Sequence, residues 1–404
     1  MIFTTGLLVG LLVVTSVGAT LLPETRMDFS VSIAHKAFYD SSRKDPHNEI
    51  ADRPMMASLY FPVHKHTCDK LCAVQYMPTE TAKVMDGMFF GNENIDVFRK
   101  FETRACCSAN KALNPNEHNI VVLEPGVGTS RYIYGAVAKE IASQGHAVLV
   151  IDHPYDSEII EMSAGEDDAK DHSVLRPQSP PLSPFHPITS WNSTVEDLVQ
   201  ARIRDINFVL SQMTDLTVVK ELFPGFEIAN VFDTKEVGVI GHGLGGAVAT
   251  YMVTSGDPRF HVSVNMGGSP PNITSDTTST ILFFGRSSYR REDDPLWSAA
   301  WKHLKGLSTE YDMDDAGFMQ YSDLPLIAEL GGQTDKNGIP KSNVKGLGPI
   351  YGTRSWMCGS YLARVYLTMY LRNQWNSPNG VSRELADLVQ FFTEMRPWQP
   401  KKSS

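Results

Sequence analysis

The sequence predicts an α/β fold, a mostly parallel twisted sheet with helices on both faces, and two observations predict it. The first is a set of short, unbroken apolar runs at residues 120–123, 147–151, 237–240, 262–266 and 281–284. A strand buried on both faces needs such a run, whereas a half-exposed strand alternates. The second is that helical patterns lie between the runs, which is how parallel strands are connected.

The elements follow in order. Residues 57–62 read as a strand ending at Pro62. The stretch around Tyr76-Met77-Pro78 and the neighbouring cysteines reads as a long decorated loop. Residues 120–123 form a strand and Glu124-Pro125-Gly126-Val127-Gly128 a turn. A helix spans 132–144, with Ala136, Val137, Ile141 and Ala142 on one side, and Gly145 stops it. The strand at 147–151 leads into Asp152-His153-Pro154-Tyr155-Asp156. Residues 162–190 are polar and rich in proline and read as a flexible insertion. Helices are expected at 195–213, 246–254, 297–304 and 361–371. The chain divides into a signal peptide, 1–19, and one domain, 20–404.

Composition narrows the function. The chain has 404 residues, 42% of them apolar, enough for one large core. Its net charge of −10 makes nucleic acid and anionic membrane surfaces poor partners. The apolar run from Gly6 to Gly18 is followed by Val17-Gly18-Ala19, a small-residue cleavage site. The run is too short for a membrane span, so none is expected after cleavage. No Lys or Arg precedes it, which leaves a retained signal anchor open. Secretion is the expectation, and the acceptor triplets at Asn192 and Asn272 then become glycosylation sites. Cys68, Cys72, Cys106 and Cys107 are disulfide candidates; their pairing is open, and the fifth cysteine, Cys358, makes the count odd. Their spacing does not suit zinc, and neither a metal nor a cofactor is expected.

Val239-Ile240-Gly241-His242-Gly243-Leu244-Gly245-Gly246-Ala247 joins a buried strand to a helix. One residue separates it from G-x-S-x-G, the nucleophile elbow of the α/β-hydrolase fold. A dinucleotide cradle fits less well, because Gly267-Gly268 stands where an acidic residue should end the next strand. With the elbow go Tyr76-Met77-Pro78, Pro125-Gly126-Val127-Gly128-Thr129-Ser130-Arg131, Ile151-Asp152-His153-Pro154-Tyr155-Asp156, Asp257-Pro258-Arg259, Val264-Asn265-Met266 and Tyr321-Ser322-Asp323. In these stretches the chain resembles the plasma-type platelet-activating-factor acetylhydrolase family, especially its fungal branch. The resemblance implies an α/β-hydrolase fold, decorated here by the cysteine-containing region and the proline-rich insertion. It also implies a serine, an aspartate and a histidine that cleave short acyl esters of lipids.

Carried over by position, the serine falls on Gly243, the aspartate on Gly267 and the histidine on Phe318. The hydrolase fold orders its triad nucleophile, acid, histidine, and no histidine follows His303. The backbone amides of Val127 and Leu244 remain as oxyanion-hole candidates. Glu124, His242, Asp152 and His153 are pocket candidates. Glu124 is read as solvated in preference to a base, and His242, Asp152, His153 and Asp156 as structural. Ser360, ahead of the last helix, lies in the wrong part of the fold for a nucleophile. With glycines at 243 and 267 and an aromatic ring at 318, the expected pocket is enlarged, dry and apolar.

These observations lead to an expectation of a secreted hydrolase-fold protein that has lost Ser-Asp-His ester hydrolysis. It would bind a lipophilic lipid- or polyketide-like molecule, or guide its cyclisation or isomerisation. Two alternatives stand beside it: an active carboxylic-ester or phospholipid acetyl hydrolase with an unrecognised nucleophile, and a secreted interaction protein.

Overall fold

The computed structural model describes residues 19–25, 27–46, 48–162, 173–176, 182–188, 190–372 and 383–398. Residues 1–18, most of the expected signal peptide, lie outside them. The chain begins with β1 (Thr20–Leu21) and a long hairpin, β2 (Phe29–Asp45) and β3 (Asn48–His64). The run at 57–62 is thus only the middle of a much longer strand. Pro54 and Pro62 both belong to β3. They lie outside the stretch from Met56 to Tyr60 that pairs with a second neighbour, where a missing N–H is tolerated.

The expected decorated loop is instead β4 (Cys68–Gln75), α1 (Thr79–Phe90) and β5 (Phe101–Ala109). Half of β4 alternates weakly and is polar, which hid it from a reading by apolar runs. β1, β5 and β4 form a small sheet, and the disulfides Cys68–Cys106 and Cys72–Cys107 cross between β4 and β5. Cys358 is free and buried.

The main unit follows: β6 (Ile120–Glu124), α2 (Gly135–Ala142), β7 (Ala147–Asp152), the short pair β8 (Ile160–Glu161) and β9 (Val174–Leu175), α3 (Ser193–Gln212), α4 (Leu216–Leu222), β10 (Val237–His242) and α5 (Leu244–Thr254). Then come β11 (Phe260–Met266), β12 (Thr280–Arg286), α6 (Pro295–Ala300), β13 (Thr309–Met313), α7 (Leu324–Leu330), α8 (Gly352–Leu371), α9 (Arg383–Phe391) and β14 (Met395–Pro397). Among the described residues the main sheet runs β14-β13-β12-β11-β10-β6-β7-β3-β2. It is parallel from β13 to β7 and antiparallel at both margins.

The unbroken apolar runs have their expected cause. On β6, Val121 and Leu123 enter the core under α1, α2, α7 and α8, while Ile120 and Val122 enter the opposite core under α3, α4, α5 and α6. Each strand of the parallel block therefore needs apolar residues at every position. Two helices differ from expectation at their ends. Asp294 caps α6 with its side chain at Leu296 N and Trp297 N, and the helix stops at Ala300, before His303. α8 starts at Gly352, so Ser360 sits in mid-helix and its Oγ donates to Trp356 O at 2.8 Å.

Part of the insertion touches the main unit. Pro184 lies 3.2 Å from the point where a Cβ on Gly128 would stand. Phe185 meets Phe89 edge-on with centroids 6.0 Å apart, and Ile188 O accepts from Tyr289 Oη at 3.5 Å. Residues 182–188 thus cross the carboxyl edge of the sheet.

Candidate active site

β10 turns into α5 at Gly243, with φ +54° and ψ −116°. Only glycine accepts that φ without strain. The turn is also tight: a Cβ on Gly241 would lie 2.0 Å from Gly245 O. This is the elbow predicted from the motif, placed at the carboxyl edge of the central strand, where open α/β sheets bind ligands.

His242 packs its ring against Phe318, with centroids 4.7 Å apart. Its Nε2–H donates to Phe318 O at 2.8 Å, and its Nδ1 accepts from Tyr134 Oη at 2.7 Å. Tyr134 Oη accepts in turn from Gly126 N at 3.0 Å. Burial drives the imidazole pKa down to about 3, despite the carbonyl that favours its charged form. A neutral ring in this chain of bonds ties the elbow to the turn after β6 and to residue 318. Val127 N and Leu244 N, on the two sides of this tie, have no acceptor among the described residues.

Phe318 corrects the expected pocket. Its Cζ stands 2.8 Å from the position of a Cβ on Gly243. The volume left by the missing side chain is filled by the ring, so the site is not enlarged. Nor is it wholly apolar. Arg286, at the end of β12, is 4% exposed, with its guanidinium 5.0 Å from the Phe318 ring centroid. Gly267, which follows β11 with φ +68°, has Arg286 Nη1 3.2 Å from its Cβ position. The sequence reading missed Arg286, though a lone cation ending a buried strand run was a signal for it.

Glu124 is a second correction. It was read as solvated, yet its exposure is 0%. It ends β6 opposite Gly241 and turns toward α3. Its Oε2 accepts from His153 Nε2 at 3.0 Å and lies 3.4 Å from Arg202 Nη1. Its Oε1 is buried and has no hydrogen-bond partner. His153 Nδ1 donates to Asp205 Oδ2 at 2.9 Å. Arg53 and Arg43 pair with the same Asp205, and Arg202 pairs with Asp156 at 2.7 Å. Arg202, Asp205 and the hairpin arginines come from three different elements, so no motif announced them.

The charges set one another. Burial alone would lower the His153 pKa, but the Glu124 charge and bonds to Asp205 and Glu124 raise it to about 9. Burial opposes ionisation of Asp205, yet His153 and Arg53 hold its pKa well below the carboxylate range. The linkage sign for His153 is that of a raised pKa. Its contribution to stability is full below about pH 6.5 and is lost as pH rises through about 9. The melting temperature should therefore fall between those values, and His153→Gln should flatten that limb. An equal fall in the variant would show that another group causes it.

The other candidates are structural in geometry. Asp152 accepts from Arg131 N at 2.6 Å and forms a buried ion pair with its guanidinium. Asp323 accepts from Ala136 N, Val137 N, Tyr76 Oη and Trp356 Nε1, at 2.6, 3.0, 2.8 and 3.1 Å. Burial raises its pKa to about 7 against those donors. It thereby joins the link between β4 and α1 to α2 and α8. His303 pairs with Asp276 at 3.0 Å beyond α6 and does not reach the elbow. The side chains of Gly243, Gly267 and Phe318 therefore provide no hydroxyl, carboxylate or imidazole.

Residues 44–294 match the family described as platelet-activating factor acetylhydrolase, isoform II. The chain belongs to that family. Over 361 residues this acetylhydrolase-family chain is 26% identical to a probable 1-alkyl-2-acetylglycerophosphocholine esterase of the fungus Arthroderma benhamiae. The match covers 83% of this chain and 84% of that protein. Among solved structures it is similar to a ferulic acid esterase from Streptomyces cinnamoneus, with TM-score 0.66 and 25% identity. That similarity covers 94% of this chain and 98% of the other. These relatives overturn the expectation of a chain that has abandoned hydrolysis for binding or cyclisation. Both are named as esterases, and the likeness covers more than four fifths of each chain. The elbow turn and its amides belong to the backbone, so they stand without a serine at 243.

Proposed function

We propose that this acetylhydrolase-family chain hydrolyses short-chain carboxylic esters of a lipid-like alcohol, with water as the attacking group in place of a serine. The observation that carries the reading is the buried, unpartnered Glu124 Oε1 on the strand beside the elbow, in a fold whose relatives are named as esterases. In this reading Glu124 takes a proton from a water that attacks the acyl carbon. The carbonyl oxygen gains negative charge and is held by Val127 N and Leu244 N. When the tetrahedral intermediate collapses, the C–O bond to the alcohol breaks and Glu124 returns the proton to the alkoxide. The cations of His153 and Arg202 keep the base aligned on its other oxygen.

This reading separates cleanly from a serine mechanism. The parent should turn over p-nitrophenyl acetate and remain active after exposure to a fluorophosphonate, because no activated hydroxyl is there to be phosphonylated. Loss of activity with a label on any serine would defeat it, and so would an absence of turnover.

The chain is also proposed to be processed on the secretory path. The leader, two disulfides and exposed Asn192 and Asn272 support this. Mass spectrometry of protein from its native host should find a terminus near Thr20 and glycan on at least one of the two asparagines. An intact leader with unmodified asparagines would count against it.

A further inference from the structure

Among the described residues no carboxylate answers the charge of Arg286. Its Nε donates to Ser288 Oγ at 3.1 Å, and the rings of Phe318 and Tyr289 lie 5.0 and 5.2 Å from its guanidinium carbon. Its Nη1 is buried with no hydrogen-bond partner, and among the described residues no carboxylate pairs with it. An unpaired buried cation is costly, and aromatic faces offset only part of that cost. Burial accordingly pushes the Arg286 pKa below its ordinary value, with only the Tyr321 and Tyr289 phenols acting the other way.

The space beside this nitrogen is defined by Gly267. From the Cβ position of that residue, Nη1 is 3.2 Å away and Phe284 O 3.9 Å away, and apart from its two chain neighbours no other described residue comes within 4 Å. An oxygen standing near that position would lie within hydrogen-bond distance of Nη1. Phe318 supplies an apolar wall that leads toward Gly243.

We propose that Arg286 and the side-chain space of Gly267 form a binding site for an organic carboxylate, a short- to medium-chain carboxylic acid whose tail runs along Phe318. The chemistry selects this class. One free guanidinium N–H edge in an apolar wall matches a singly charged planar acceptor. A dianionic phosphate would carry in excess charge at further desolvation cost, and a phosphodiester would need room for two substituents. The site is independent of turnover. It would hold an acid whether or not the chain cleaves esters, so the two proposals fail separately.

The test is calorimetric titration of the full-length protein with octanoate at pH 7, with inorganic phosphate and phosphocholine as parallel titrants. The parent should bind one octanoate and bind both phosphates at least about tenfold more weakly. Arg286→Met should lower octanoate affinity by about tenfold or more, the usual consequence of removing a charged hydrogen-bond partner. Equal octanoate binding by parent and Arg286→Met would overturn the proposal, as would the absence of binding or a preference for either phosphate.

Gly267→Asp keeps the test decisive if Arg286→Met does not fold. Aspartate tolerates a positive φ better than most residues, and its carboxylate would occupy the proposed site from within. The variant should keep the parent circular dichroism, melt higher than the parent and lose octanoate binding. A Gly267→Asp variant that melts lower and binds octanoate like the parent would sink the idea.

Discussion

Glu124→Gln is expected to reduce kcat for p-nitrophenyl acetate by about 10²–10⁴, the range that a positioned general base contributes. The substitution preserves shape and the ability to accept at one oxygen. It removes the negative charge that faces His153 and Arg202. It also removes the basic oxygen that would take the water proton. Stability should fall as well, because breaking a buried ion pair by removing one partner costs about 3–5 kcal/mol. The rate comparison must therefore be made well below the melting temperature of the variant. Circular dichroism recorded beside each rate separates the two effects: a stability defect lowers the amount of folded enzyme, whereas loss of the base lowers kcat per folded molecule. A variant that folds, keeps parental kcat and loses only stability would leave Glu124 as a purely structural member of the network.

The second large effect concerns a serine placed at the elbow. Gly243→Ser alone should be poorly tolerated and should not react with a fluorophosphonate. Its Cβ would come 2.8 Å from Phe318 Cζ, and the φ of +54° strains any side chain. Phe318 cannot simply withdraw, since its carbonyl holds His242 and its ring lies against Arg286. Phe318→His shrinks the ring and introduces the missing base, so the pair should fold better than Gly243→Ser alone. Adding Gly267→Asp should still give weak labelling. Arg286 Nη1 lies 3.2 Å from the Cβ position and would capture the new carboxylate before a histidine could use it. A histidine without its orienting acid is a poor base. Replacing Arg286 by Met in that triple variant should raise the labelling rate by about tenfold or more. The measurement is the rate of fluorophosphonate incorporation in the single, double, triple and quadruple variants, each with matching circular dichroism. A triple variant that labels as fast as the quadruple would show that Arg286 does not compete for the acid.

Some of this molecule was settled by local sequence. The parallel strands β6, β7, β10, β11 and β12 declare themselves because burial on both faces demands unbroken apolar runs. The elbow declares itself because a tight strand-to-helix turn demands glycines at fixed spacing, whatever residue stands at 243. The cysteine-containing region was recognised, but its form was not. β4 and β5 are paired through a small, half-exposed sheet whose residues follow no strong period, and the pairing of Cys68 with Cys106 and of Cys72 with Cys107 depends on the antiparallel register of those strands. The extent of β3 was equally hidden, because Pro62 reads as a strand end until the one-sided pairing around it is known.

The site divides along the same line. From the family resemblance, Gly243, Gly267 and Phe318 could be read as standing where a serine, an aspartate and a histidine are expected. What surrounds them could not. Burial of Glu124 follows from α3 delivering Arg202 and Asp205 against the end of β6, and the hairpin of β2 and β3 delivering Arg43 and Arg53. Arg286 meets Gly267 only because β11 and β12 are neighbours in parallel register, and Phe318 fills the space over Gly243 only because His242 holds its carbonyl. Local sequence fixes which backbone conformations are affordable. The charge and volume of a buried site depend on residues distant in the chain, and those are brought together only when the sheet and its covering helices assemble.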